Sequence, residues 1–204
     1  MYRLRFLWPE YADRVRIAWR ALSLEWKNNK STPKDIVDAE ILLMARQELE
    51  LPIGAWQAPE WQYPVTLLPA FEALGCAERQ GEQQGWEFSW RVRRAFFEQS
   101  RNVAMRHVLL ELAAESGLDV ARFRHDWDSG TERRRALEES VRGWEELKVA
   151  GSPTFVLPSG RQIHNPGAWQ VTWGKNHEIV AVDRAVTPWR EAYRELLDGA
   201  LSGR

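Results

Sequence analysis

Cys76 is the only cysteine in the chain. Within it, an intrachain disulfide, a Cys-x-x-Cys pair and a cysteine-only zinc site are therefore excluded. Cys76 lies between Gly75 and Ala77 on a helical run, and its plainer duty is that of a buried, inert packing residue. A nucleophilic role would need a histidine or cation to stabilise the thiolate, and no histidine stands near it in sequence. The four histidines, His107, His125, His164 and His177, show neither HxxxH nor HExxH spacing. Zinc hydrolysis is thus disfavoured, and no metal ligand or catalytic residue is assigned. Gly-rich phosphate motifs are absent, since Val149-Ala150-Gly151-Ser152-Pro153 follows neither the GxGxxG nor the GKS pattern.

The most specific segment is Val149-Ala150-Gly151-Ser152-Pro153-Thr154-Phe155-Val156. A long helix ends, Gly151 permits a sharp turn, and Pro153 enters an apolar strand. Proline is poor inside a central strand because it has no N–H for the ladder, but it is tolerated at a strand's first residue. A Ser-Pro bond can be cis there. The Ser152 N–H and C=O would then be turned outward, open to an extended peptide or a small thiol. An ordinary trans proline at a strand start is the alternative. Ser152, Pro153 and Thr154 are the substrate-binding candidates. His164 follows the hairpin and could face the same cleft as Pro153, although surface or core duty is the plainer expectation.

Several elements must position that segment. Arg14 to Glu25 alternates Val15, Ile17 and Trp19 with Arg14, Arg16, Ala18 and Arg20, the period of a half-buried strand. A helix through Tyr11, Val15, Ala18 and Leu22 competes with it. Pro33 to Glu48 reads as a helix with Thr32 as a candidate N-cap. Leu51 to Pro64 reads as an ordered aromatic loop carrying Trp56, Trp61 and Tyr63. Helical spacing then runs through Val65–Gln80, Gln83–Ser100, Met105–Ser116, Val120–Trp127 and Thr131–Val149. Gly81, Gly85, Gly117 and Gly130 punctuate these helices, and Asp119 can cap one of them. The charged run from Thr131 to Lys148 suits a solvated face with i to i+4 pairs. Thr154–Leu157, a Pro-Ser-Gly turn and Arg161–His164 form a hairpin signal. Ile179–Val182 is a further strand or an irregular return, and Pro188–Leu201 is a closing amphipathic helix. A Trp56, Trp61, Trp86 and Trp90 stripe could line an apolar groove, with core packing the plainer use. Strand, helix, helical block, hairpin, helix suits an α/β sheet with a helical insertion between its halves.

Composition agrees with one soluble globular domain. The chain has 204 residues, 44% of them hydrophobic, and its twelve tryptophans are too many for a solvated chain. Its 28 basic and 29 acidic residues leave a net charge of −1, without the basic excess of a nucleic-acid binder. No apolar run approaches the roughly 18 residues of a membrane span, and the first residues lack the pattern of a secretory signal. The expected location is cytoplasmic.

Helix, Gly-Ser-Pro-Thr-Phe-Val, turn and hairpin resemble the cis-proline loop of the thioredoxin superfamily. The helical insertion before it resembles the DsbA family, specifically its FrnE-like branch, the 2-hydroxychromene-2-carboxylate isomerases and the kappa-class glutathione transferases. Trp19–Glu25 is similar to the family's second strand. Ala70–Gly81 and Arg93–Gln99 are similar to the insertion's helices, and Val108–Phe123 to the stretch after them. The resemblance runs from about Val15 to His164. It implies a single DsbA-like domain over 1–204, with a thioredoxin-like part at 13–26 and 150–204 and a helical insertion at 64–149. It also implies thiol–disulfide oxidoreductase ancestry and a peptide or protein thiol/disulfide substrate. No cofactor is implied, and glutathione is the small-thiol alternative.

The family pattern has a first strand leading into Cys-x-x-Cys and a long helix before the second strand. A β-helix-β crossover takes roughly 30 residues, whereas thirteen precede Arg14. The first strand and redox motif are then absent from this chain, and Tyr2–Trp8 is the tail of the first helix, with Leu4, Leu7 and Trp8 on its inner side. Alternatively, Leu4–Trp8 is a degenerate first strand with Trp8-Pro9-Glu10-Tyr11 in place of the cysteines, or the resemblance does not extend to the front end. Without Cys-x-x-Cys, dithiol turnover is not expected. A non-catalytic peptide- or partner-binding module is one alternative function. A glutathione-dependent isomerase or transferase is another, but it needs a serine at the first helix's N-terminus, and none is placed there. The lost strand would leave sheet neighbours unpaired, to be covered from the chain itself or from a second copy in a homodimer.

Overall fold

The structure is a computed structural model and describes residues 1–175 and 178–203; His177 lies outside the described residues. In chain order the helices are α1 (Tyr2–Leu7), α2 (Leu24–Asn28), α3 (Lys34–Gln47), α4 (Leu68–Glu78), α5 (Glu82–Phe97), α6 (Arg106–Glu115), α7 (Val120–Asp128) and α8 (Thr131–Val141). Strands β1 (Thr154–Val156), β2 (Gln162–His164), β3 (Gln170–Trp173) and β4 (Ile179–Asp183) follow, and helix α9 (Trp189–Ser202) closes the order. The residues group into two compact units, Met1–Trp19 with Leu147–Arg204, and Arg20–Glu146.

The Arg20–Glu146 unit is helical. Its core gathers Ala73, Cys76 and Ala77 of α4 with Phe88, Leu109, Leu112 and Phe123. Burial of the Phe and Leu side chains contributes on the order of 2 kcal/mol each. Asp119 caps α7 as expected, accepting from the Arg122 N–H at 3.0 Å. Thr32 does not cap α3, because Pro33 is the N-cap residue and no side chain bonds there. Gly85 lies inside α5 rather than at a helix end, where a Cβ would stand 2.6 Å from Glu78 Cγ; it is there for close helix packing. The helix expected through Val149 ends as α8 at Val141 and runs into a π-helical turn at Arg142–Glu146.

The strand expected over Arg14–Glu25 is not formed. Burial alternates as the sequence suggests, with Val15, Ile17 and Trp19 half-buried and Arg14, Arg16 and Ala18 exposed. The backbone groups, however, find other partners. The Ala21 N–H donates to Glu139 Oε2 at 2.8 Å, the Ser23 N–H to Ser140 Oγ at 3.0 Å, and Trp144 Nε1 to the Ser23 carbonyl at 2.9 Å. Buried backbone groups need a partner but not a ladder, and α8 with its π turn supplies them. Ser23 then caps α2, its hydroxyl accepting from the Trp26 N–H, so the chain turns helical where a strand would continue.

In the other unit α1 packs against α9, with Leu4, Leu7, Tyr193, Leu196 and Leu197 buried. Tyr2–Leu7 is helical, which removes the alternative of a degenerate first strand at Leu4–Trp8. Trp8 opens a 3-10 turn and is half-buried, unlike Leu4 and Leu7. Phe155 of β1 meets Tyr193 edge-on at 5.7 Å. β1 and β2 pair antiparallel, with Thr154 opposite His164 and Phe155 opposite Ile163. A second antiparallel ladder joins β3 to β4, so Ile179–Val182 is a strand, and its partner at Gln170–Trp173 was not read from the sequence.

Candidate functional site

Gly151 to Asn165 forms a closed loop and hairpin around the candidate residues. The Asn165 N–H donates to the Pro153 carbonyl at 3.0 Å and the Leu157 N–H to the Arg161 carbonyl at 2.9 Å. In an antiparallel ladder alternate residues point their backbone groups outward. These bonds therefore assign Phe155 inward to β2, and Thr154 and Val156 outward. Among the described residues, the outward N–H and C=O groups of Thr154 and Val156 have no backbone partner. Ser152 and Pro153 are exposed, Gly151 is buried, and the Ser152–Pro153 peptide bond is cis.

Side chains close the loop from within. Thr154 Oγ1 donates to the Gly151 carbonyl at 2.6 Å and stands 3.1 Å from His164 Nδ1. Asn165 Nδ2 lies 3.1 Å from His164 Nε2. A Cβ at Gly151 would stand 3.0 Å from His164 Cε1, so the ring lies directly over this glycine. Gln162 Nε2 donates to the Leu147 carbonyl at 2.8 Å, fastening β2 to the segment that follows the helical unit. Ser152, Pro153 and Thr154 thus stand together with His164, which the sequence offered as a neighbour, and Asn165, which it did not. The signal that would have found Asn165 is the turn length: a Pro-Ser-Gly turn centred on residues 158–160 sets Thr154 opposite His164.

The other chemically capable groups lie in the helical unit. Cys76 is fully buried. Burial, then the negative charges of Glu132, Glu72 and Asp126, push its thiol up to about 12. At neutral pH it is a protonated packing residue. Glu72, Asp126 and Glu132 are themselves buried, beside Arg133 at 3.2 Å, Arg79 at 3.1 Å and Arg135 at 2.8 Å respectively. The tryptophans divide. Trp86 is buried and Trp56 packs on Tyr63 and Phe96, as core duty requires, while Trp61 is 81% exposed. Among the described residues no group of His, Cys, Asp and Glu could hold a metal ion, and no helix is long and apolar enough to cross a membrane.

Comparison with known proteins adds independent support for the fold. Residues 10–169 match the sequence family described as Thioredoxin. A Bacillus subtilis protein, YwbO, is 32% identical over 95 residues, which is 47% of this chain and 46% of YwbO. The ClpXP adapter protein SpxH of Halalkalibacterium halodurans is 34% identical over 85 residues, 42% of this chain and 28% of SpxH. The aligned stretch thus spans less than half the length of either relative. A Nitrosomonas europaea structure assigned as a protein disulfide isomerase superposes with a TM-score of 0.59 at 18% identity, covering 98% of this chain and 89% of that one. A 2-hydroxychromene-2-carboxylate isomerase does so with a TM-score of 0.58 at 18% identity, covering 79% of each. With the match running through the Gly151–His164 segment and across most of the chain, this protein belongs to the thioredoxin family.

Proposed function

We propose that this chain is a thioredoxin-fold binding module, which holds an extended protein segment at Ser152-Pro153-Thr154 and does no dithiol chemistry with its own cysteine. The observation that carries this reading is the exposed backbone of Ser152 just ahead of β1, whose N–H and C=O have no backbone partner among the described residues. An N–H and a C=O on one residue match the pairing an extended segment offers, the mode of strand addition. The adapter role of SpxH supports a protein partner over a small thiol. We take 13–26 and 150–204 as the thioredoxin-like part and 64–149 as the helical insertion.

The oxidoreductase reading draws on the disulfide-isomerase neighbour. It needs a thiolate, because the thiolate is the nucleophile in exchange. Cys76, buried with its thiol at about 12, does not supply one.

Two measurements decide between them. Insulin reduction and dithiol oxidation by the 204-residue chain should stay at background, and robust turnover would overturn the proposal. A fluorescein-labelled nonapeptide of alternating Thr and Gln around one central Cys should bind. Its central N-methylated form should bind about tenfold more weakly, because it cannot donate to the Ser152 carbonyl. Equal binding of the two peptides, or none by either, would sink the backbone-pairing reading. Competition by glutathione would instead favour the small-thiol alternative.

A further inference from the structure

His164 sits in a hydrogen-bond arrangement that fixes more than its own ring. The Gly151 carbonyl can only accept, so the Thr154 hydroxyl proton is committed to it. Thr154 Oγ1 then has only lone pairs to offer His164 Nδ1 at 3.1 Å, and Nδ1 must carry the proton. In the neutral ring Nε2 is therefore a bare acceptor, matched by the Asn165 amide nitrogen at 3.1 Å. Which imidazole nitrogen is protonated follows from the bond the other makes, and here both bonds agree on the Nδ1–H form.

Three further details show that the arrangement is built. Thr154 and His164 are directly opposed in the ladder as a non-hydrogen-bonded pair, the position where cross-strand side chains come closest. Asn165 adopts φ 43°, in the left-handed region that Asn tolerates better than most residues. Gly151 leaves the space the imidazole occupies, since a Cβ there would meet Cε1 at 3.0 Å.

We propose that His164 is the positioning residue of the recognition loop. It holds Thr154 and, through it, the Gly151 carbonyl, and so presents the Ser152 N–H and C=O in one fixed orientation. The proposal deepens the peptide-binding reading and rests on it for its purpose, but not for its chemistry. Its value lies in preorganisation, because a loop already fixed in its bound geometry loses less freedom on binding.

The test uses the full chain and three readouts. Long-range 1H–15N correlation of the histidine rings should show neutral His164 protonated on Nδ1, and an Nε2–H form would overturn the arrangement. In His164→Leu, exchange of the Asn165 amide should quicken about tenfold, the equivalent of one lost hydrogen bond. His164→Gln, whose amide offers a donor and an acceptor, should stay within about twofold of the parent. The labelled nonapeptide should follow the same order, about tenfold weaker with Leu and near parental with Gln. If Leu matches the parent in both exchange and binding, or Gln fails as Leu does, His164 does not position the loop. If the parent chain binds no peptide, the binding function falls, while the ring tautomer and the amide exchange still decide the positioning role.

Discussion

Cys76 and Gly167 show how single atoms constrain this chain. The Cys76 thiol lies at 0% exposure, so a thiol reagent such as dithionitrobenzoate should label it only as fast as the helical unit opens. Labelling in the native state should be at least about a hundredfold slower than in urea. Rapid native labelling would place the sulfur at the surface and revive thiol chemistry. Gly167 has φ 63°, and a Cβ there would stand 2.4 Å from Trp189 Cα. Backbone cannot move aside as a flexible side chain does. Gly167→Ala should therefore destabilise the chain by about 2–4 kcal/mol in urea unfolding, whereas Gly54→Ala, with nothing within 4 Å of the added carbon, should be near neutral.

At the scale of elements, helices were legible and the front strand was not, for one physical reason. Spacing of three and four shows which face a helix buries, and α3 to α7 lie where that spacing puts them. Period-2 alternation shows only that a segment is extended and half-buried, not who accepts its hydrogen bonds. Val15 to Trp19 keeps the alternation, but the neighbouring Ala21–Ser23 backbone bonds to Glu139, Ser140 and Trp144 side chains. Those partners lie more than a hundred residues away and leave no local mark. The loop at Ser152–Thr154 was legible because Gly, Pro and a β-branched run are local signals. The His164–Asn165 contacts were not, because they depend on hairpin register. The side-chain substitute for a ladder is itself testable. Ser140→Ala leaves the Ser23 N–H, now bonded at 3.0 Å, without its acceptor in a buried position, and should cost about 1–3 kcal/mol. Asp119→Ala removes only an exposed cap and should cost about 1 kcal/mol. Calorimetry that ranked Asp119→Ala as the more damaging would contradict this account of the segment.

For the molecule as a whole, stability should fall on the alkaline side. Burial pushes Cys76 from 9.0 up to about 12, and Tyr63 from 10.0 up to about 12. Below their ordinary values both groups are neutral whether the chain is folded or not, and their contribution is fully present. As pH rises from about 9 toward 12, the unfolded chain loses these protons first, and the folded state is progressively disfavoured. The slope from Cys76 approaches about 1.4 kcal/mol per pH unit within that window. Urea midpoints measured from pH 7.5 to 10.5 should bend downward above 9, and Cys76→Ala should shallow the bend. An unchanged bend in that variant would mean the thiol is not what resists ionisation.

The outward backbone groups of Thr154 and Val156, without a backbone partner among the described residues, reach beyond recognition. Three residues of ladder with an apolar tip, Val156 being 47% exposed, form an open seam that any neighbouring extended chain can stitch onto, including another molecule of the same protein in a concentrated solution. The feature suited to catching a partner is thus the one that threatens solubility. Val156→Lys should suppress concentration-dependent light scattering while leaving the Ser152 backbone exposed.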